Sequence, residues 1–253
     1  MTPFTASRAL ICSIPKSGTY LLGEILCTLG LRNTKIHLSR ECYSDYSVGS
    51  REDHRRNPGR FTIQVPFDVC LPRIGLSAYA LSHLAPDDRV LRACSNFRVF
   101  FLFRDIRDCA ISYMRFLVDT GRDNAASSDW IRHEDGPARF ASFLDTHHGW
   151  FVALATSVAR WRLEPIALRV RFEDLVGDAG EAGALATVAA ICRHLDIDPS
   201  VVDANTILVR CLNTPTLTSS GSRTERSRYW TKAVEERFEA LGLGDINREL
   251  GYL

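Results

Sequence analysis

Several common signatures are missing from this sequence. Its eight cysteines, Cys12, Cys27, Cys42, Cys70, Cys94, Cys109, Cys192 and Cys211, form no Cys-x-x-Cys pair, so zinc-site spacing is absent. Several of them sit in apolar runs, as buried free thiols of a reducing compartment do. Met1 to Arg8 carries no signal-peptide pattern, and no apolar stretch approaches the length of a membrane span. The expected location is therefore the cytoplasm. Net charge is nearly absent as well, at +1, which excludes the global basic field that non-specific nucleic-acid binding requires. Any anion site must be local. Internal repeats are lacking, and so is a complete Gly-x-x-x-x-Gly-Lys-Ser/Thr phosphate loop.

What is present begins with Pro15-Lys16-Ser17-Gly18-Thr19, which follows the apolar run Ala9 to Ile14 and precedes a helical pattern starting near Tyr20. Strand, tight loop and helix in that order aim backbone N–H groups and the positive end of a helix dipole at one point. Lys16, Ser17 and Thr19 add side-chain donors. The loop is P-loop-like, with its lysine ahead of the glycine. By itself it is equally compatible with an ordinary polar turn.

At 253 residues with 45% hydrophobic and 24% charged content, the chain suits one globular domain spanning 1–253. Apolar periodicity predicts helices over 20–31, 76–84, 108–118, 137–163 with a break around Gly149, 183–195, 199–210 and 231–241. Strands are predicted over 61–65, 99–103 and 166–170, the second as a continuous apolar run buried on both faces and the third as another buried strand. Segments 33–59, 120–136 and 214–227 read as irregular, the first as loop or lid with 51–56 as a solvated charged run, the second as mobile surface. Strands alternating with helices give an α/β fold with a central parallel sheet flanked by helices.

A second polar strand-to-helix junction runs Phe103-Arg104-Asp105-Ile106-Arg107-Asp108-Cys109-Ala110-Ile111-Ser112. Arg104 lies at a strand's carboxyl end, where open α/β sheets bind ligands, and Ser112 stands eight positions on. With both motifs present the chain resembles the sulfotransferase superfamily, which uses 3′-phosphoadenosine 5′-phosphosulfate (PAPS) and releases adenosine 3′,5′-bisphosphate (PAP). The resemblance runs from about Leu10 to the Leu250-Gly251-Tyr252 ending. It implies that Pro15, Lys16, Ser17, Gly18 and Thr19 surround the 5′-phosphosulfate, with Lys16 as a catalytic cation, and that Tyr20 stands on the adenine side. It implies further that Arg104 and Ser112 hold the 3′-phosphate, and that Phe172, in Arg171-Phe172-Glu173-Asp174-Leu175, lies near the adenine. No metal is implied.

His83, 21 positions before Arg104, lies close to where cytosolic-type members place their catalytic base. Without that spacing it reads as a histidine at a helix end satisfying backbone carbonyls. The family's C-terminal Arg-Lys-Gly-x-x-Gly-Asp-Trp loop survives only at its ends, as Arg223 and Trp230, so Arg223 is the implied 3′-phosphate ligand and Arg226 or Arg228 stands in for the lysine. Trp150 and Trp161 read as packing residues. The implied reaction is sulfuryl transfer to a hydroxyl, with an amine as second choice, of a small molecule or glycoconjugate. A kinase using ATP and magnesium and a non-catalytic nucleotide-binding relative are the alternatives. Acceptor identity and oligomeric state are not legible.

Overall fold

The computed structural model describes residues 7–121, 128–178, 180–212 and 226–252. Its strands are β1 (Arg8–Ser13), β2 (Arg32–Leu38), β3 (Tyr43–Asp45), β4 (Thr62–Ile63), β5 (Ala78–Ser82), β6 (Arg98–Phe103) and β7 (Ala167–Arg171). They form one sheet in the order β4-β3-β2-β5-β1-β6-β7. β2, β5, β1, β6 and β7 run parallel, while β3 and β4 add an antiparallel edge. After β1 the chain runs outward on one side through β2, β3 and β4, returns to place β5 between β2 and β1, and then builds on the other side through β6 and β7. The direction therefore reverses at β1, which opens a crevice at its carboxyl end.

The helices are α1 (Thr19–Thr28), α2 (Arg51–Arg56), α3 (Phe67–Cys70), α4 (Asp88–Ala93), α5 (Ile106–Thr120), α6 (Pro137–Thr146), α7 (Gly149–Val158), α8 (Phe172–Leu175), α9 (Glu181–His194), α10 (Ala204–Leu212), α11 (Lys232–Ala240) and α12 (Leu243–Glu249). Alternate strand residues feed two apolar layers. Leu10, Cys12, Val99, Phe101 and Phe103 pack under α5, α6, α7 and α11; Ala9, Ile11, Phe100, Leu102 and Val170 pack under α1, α9 and α10. Both faces of the central strands are thus covered, which explains why they read as unbroken apolar runs.

Several expectations are corrected. The predicted helix 76–84 is instead strand β5 at Ala78–Ser82: so short a run cannot be typed by periodicity, and parallel pairing to β1 and β2 decides it. Segment 33–59 contains most of β2, then β3 and α2, the helix being stabilised by a capping box in which Ser50 and Asp53 bond each other's backbone N–H. The 61–65 strand shrinks to β4 behind a 3₁₀ turn, Pro58–Phe61. In the described part of 120–136, Trp130 is buried against Phe143 at 5.3 Å, so this stretch contributes to the core. α4 and α12 were not foreseen. The break at Gly149 is found where expected, between α6 and α7. Trp161 is buried and donates Nε1–H to the Leu84 carbonyl at 2.7 Å.

Candidate active site

Strand register assembles the site. Cys12 pairs with Ser82 across β1 and β5, so the next residues, Ser13 and His83, leave the sheet side by side. Phe103 pairs with Arg171 across β6 and β7, which sets Arg104 beside Phe172. The two predicted motifs, His83 and the 171–175 segment therefore meet along one carboxyl edge. His83 ends a strand and not a helix, and it still bonds a backbone carbonyl: its Nδ1–H donates to Ser13 O at 2.6 Å. That bond fixes the tautomer and leaves the Nε2 lone pair for chemistry. Burial, with Lys16 adding repulsion, lowers the imidazole pKa to about 4 against the weaker opposing effect of the Ser13 bond.

The 15–19 loop is held in a strained form, Lys16 at φ 69° and Gly18 at φ 99°. Gly18 is the N-cap of α1 and makes no side-chain cap bond to that helix. The hydroxyls are turned inward. Ser17 Oγ donates to the Ile14 and Leu102 carbonyls at 2.7 and 3.2 Å, and Thr19 Oγ1 bonds Ser13 Oγ at 2.7 Å. Ser17 and Thr19 thus fasten the loop, and the groups presented outward are the helix N-terminus and Lys16, whose Nζ sits 4.3 Å from the Phe116 ring centre.

On the other side of β1 the Arg104 guanidinium lies over the Phe172 ring at 4.5 Å and meets Asp108 at 3.5 Å. Asp108 and Ser112 lie one turn apart on a face of α5, and Arg104 stands just ahead of that helix's N-cap, Asp105. Phe172 also covers Gly18, where an added Cβ would lie 2.6 Å from its Cδ2. One aromatic ring therefore links the loop to Arg104.

The sequence did not reveal what anchors this junction. Asp105 is buried and caps α5; it pairs with Arg107 at 2.7 Å and Arg226 at 2.6 Å, and accepts from Asn247 Nδ2 at 3.1 Å. Burial pushes its carboxyl pKa up, but Arg107 and Arg226 outweigh that and hold it below the usual range. Glu173 accepts from the Asp105 N–H at 3.1 Å and from Tyr252 OH at 2.5 Å. These carboxylates lie in motifs whose arginine and phenylalanine drew attention first.

Trp150 corrects another expectation. It is 53% exposed and lies edge-on to His83, with ring centres 6.4 Å apart. His37, assigned no role from sequence, places its ring 4.6 Å from that of His83.

The sulfotransferase domain family matches residues 6–211. This chain belongs to that family. Sulfuryl transfer is therefore the reaction class of this sulfotransferase. Its fold is similar to that of mouse sulfotransferase SULT7A1 complexed with PAP, at TM-score 0.59 and 16% identity over 98% of this chain and 89% of that one. It is also similar to retinol dehydratase in complex with androsterone and inactive cofactor PAP, at TM-score 0.58 and 13% identity over 97% and 82%. A comparison of the sequence with curated proteins found no match.

Of the arginines in this sulfotransferase's C-terminal segment, Arg223 lies outside the described residues. Arg226 bridges Asp105 and Asp108, at 2.6 and 3.0 Å, right beside Arg104. Arg228 turns away to Asp135 at 2.7 Å. Among the described residues no helix is long and apolar enough to cross a membrane.

The Gly18–Phe172 contact gives a direct test. Gly18→Ala combines a left-handed φ with overpacking and is expected to lower stability by about 1–3 kcal/mol in urea unfolding, with Phe172→Ala in the same chain recovering part of the loss. A neutral Gly18→Ala would show that the two do not touch.

Proposed function

We propose that this sulfotransferase, acting as one domain over 1–253, transfers the sulfuryl group of PAPS to a hydroxyl of a small molecule or glycoconjugate, with an amine as second choice. His83 serves as general base. The observation that carries this reading is the 2.6 Å bond from His83 Nδ1 to Ser13 O, which presents a neutral imidazole with its Nε2 unprotonated at the mouth of the 15–19 loop. Neighbouring folds crystallised with PAP support the choice of donor. The eight free thiols, six of them buried, support the cytoplasm as its compartment.

The residues present fit such a donor. Two cationic side chains, Lys16 in the loop that leaves β1 and Arg104 at the end of β6, supply positive charge at one edge of the sheet, and Phe172, under Arg104, packs too closely on Gly18 to admit a side chain there. When bound, the donor supplies an activated sulfuryl group and leaves as PAP. The N-terminus of α1 faces its 5′-phosphate and Lys16 offsets negative charge on the departing oxygen. Pro15, Ser17 and Thr19 keep the loop in shape for that contact. Arg104 presents a planar fork to the 3′-phosphate with Ser112 one turn beyond Asp108 as second donor. Phe172 and Tyr20 flank the base. Arg226 neutralises Asp105 and Asp108, so that neither carboxylate repels the phosphate. His83 Nε2 takes the acceptor proton as the acceptor oxygen bonds to sulfur.

His83→Ala is expected to lower turnover by about 10²–10⁴-fold while calorimetric PAP affinity stays within a few-fold. In the free protein the His83 ring should titrate at about pH 4, being neutral and competent as a base above that point and protonated below it. PAP, by adding negative charge nearby, should raise the midpoint in an NMR titration. An unshifted midpoint, or full turnover without the imidazole, contradicts the assignment. Arg104→Ala should weaken PAP binding by at least about tenfold and adenosine 5′-phosphate binding far less, since charge-assisted hydrogen bonds contribute about 1.5–3 kcal/mol. Equal losses for both nucleotides would remove Arg104 from the 3′-phosphate.

A further inference from the structure

A tryptophan that leaves half its surface in water forgoes a large part of the stabilisation that burial of an aromatic side chain provides. Of the four tryptophans, Trp130 and Trp161 are buried, Trp230 is partly buried, and Trp150 alone is more than half exposed. Its position is nonetheless fixed. Tyr113, itself buried, stacks on the indole at 5.2 Å and 28°, and on buried Phe151 at 5.6 Å and 18°. A rigidly backed aromatic surface with an open front is preorganised to receive another ring. The surface is also aligned with the chemistry. Trp150 stands at 87° to the His83 ring, and Tyr113 lies one helical turn before Phe116, the ring beneath Lys16 Nζ. One helix, α5, thus braces both the indole and the cation.

We propose that Trp150 is the specificity-determining residue of the acceptor site: a flat ring of the acceptor stacks on its indole and carries the reacting hydroxyl to His83. This rests on the reading of His83 and the 15–19 loop given above. The recognised chemistry is a flat apolar ring face beside a hydroxyl, which an aromatic ring or a pyranose can supply. A ring lying parallel to Trp150 keeps the perpendicular relation to the imidazole.

The experiment compares wild type, Trp150→Ala and Trp150→Phe in transfer from labelled PAPS to 2-naphthol, a methyl glucopyranoside and 1-butanol, with PAP affinity measured for each protein. Trp150→Ala is expected to lower kcat/KM about tenfold for the ring hydroxyl that wild type prefers, mainly through KM. Trp150→Phe should restore it to within about threefold, 1-butanol should change less than twofold, and PAP affinity should not move. The preferred ring identifies which source supplies the flat face. An equal loss on all three acceptors, no loss on any, or no transfer to either ring hydroxyl by protein that binds PAP overturns the proposal. Failure of wild type to bind PAP would instead overturn the donor reading.

Discussion

Parallel pairing around β1 is the constraint on which the rest depends. Because β5, β1, β6 and β7 run in the same direction and end at nearly the same level, His83, Ser13, Arg104 and Phe172 emerge along one edge although they are up to 159 positions apart in the chain. A slip of two residues in the β1–β5 pairing would keep every side chain on its own face of the sheet. It would also carry His83 away from the Ser13 carbonyl and so remove the bond that fixes its tautomer. Register is thus a chemical parameter here as well as a packing one.

A second layer of organisation gathers on Asp105. A carboxylate buried beside the carboxyl end of β6 is costly unless fully partnered, and its partners come from distant parts of the chain: Arg107 on α5, Arg226 beyond the undescribed 213–225, and Asn247 on α12. Asn247 also accepts from the Ile106 N–H at 2.8 Å, and Tyr252 reaches Glu173. The C-terminal segment is thereby folded back over the strand ends that carry Arg104. This accounts for an Arg226 that is engaged by the two carboxylates beside Arg104.

Much of the fold and the core of the site could be read from residue order. β6, as an apolar run, and α5, α9 and α11, as periodic ones, were identifiable because burial on two faces or one leaves those patterns, whereas β7, expected as a buried strand, lies at the sheet edge with only Val170 fully buried. The 15–19 loop and the Arg104–Ser112 junction were identifiable as strand-to-helix turns because polar residues interrupt an apolar run just before a helical pattern begins. β5 was misread because five small and apolar residues fit either geometry. β2 and α2 were missed because partly exposed strands and a six-residue helix carry too few apolar positions to show a period.

The sequence alone determined the α/β class, the family and the residue types at the two strand-to-helix junctions, since these are written in local patterns and in their order. Tertiary structure alone decided that the Ser17 and Thr19 hydroxyls face inward, that Phe172 ties Gly18 to Arg104, that Arg226 and not Arg228 lies beside the site, and that Trp150 is open to water next to His83. The physical reason is the same in each case. Whether a hydroxyl, a guanidinium or an indole is engaged or available depends on partners brought near by strand register and helix packing, and no local pattern along the chain records those neighbours.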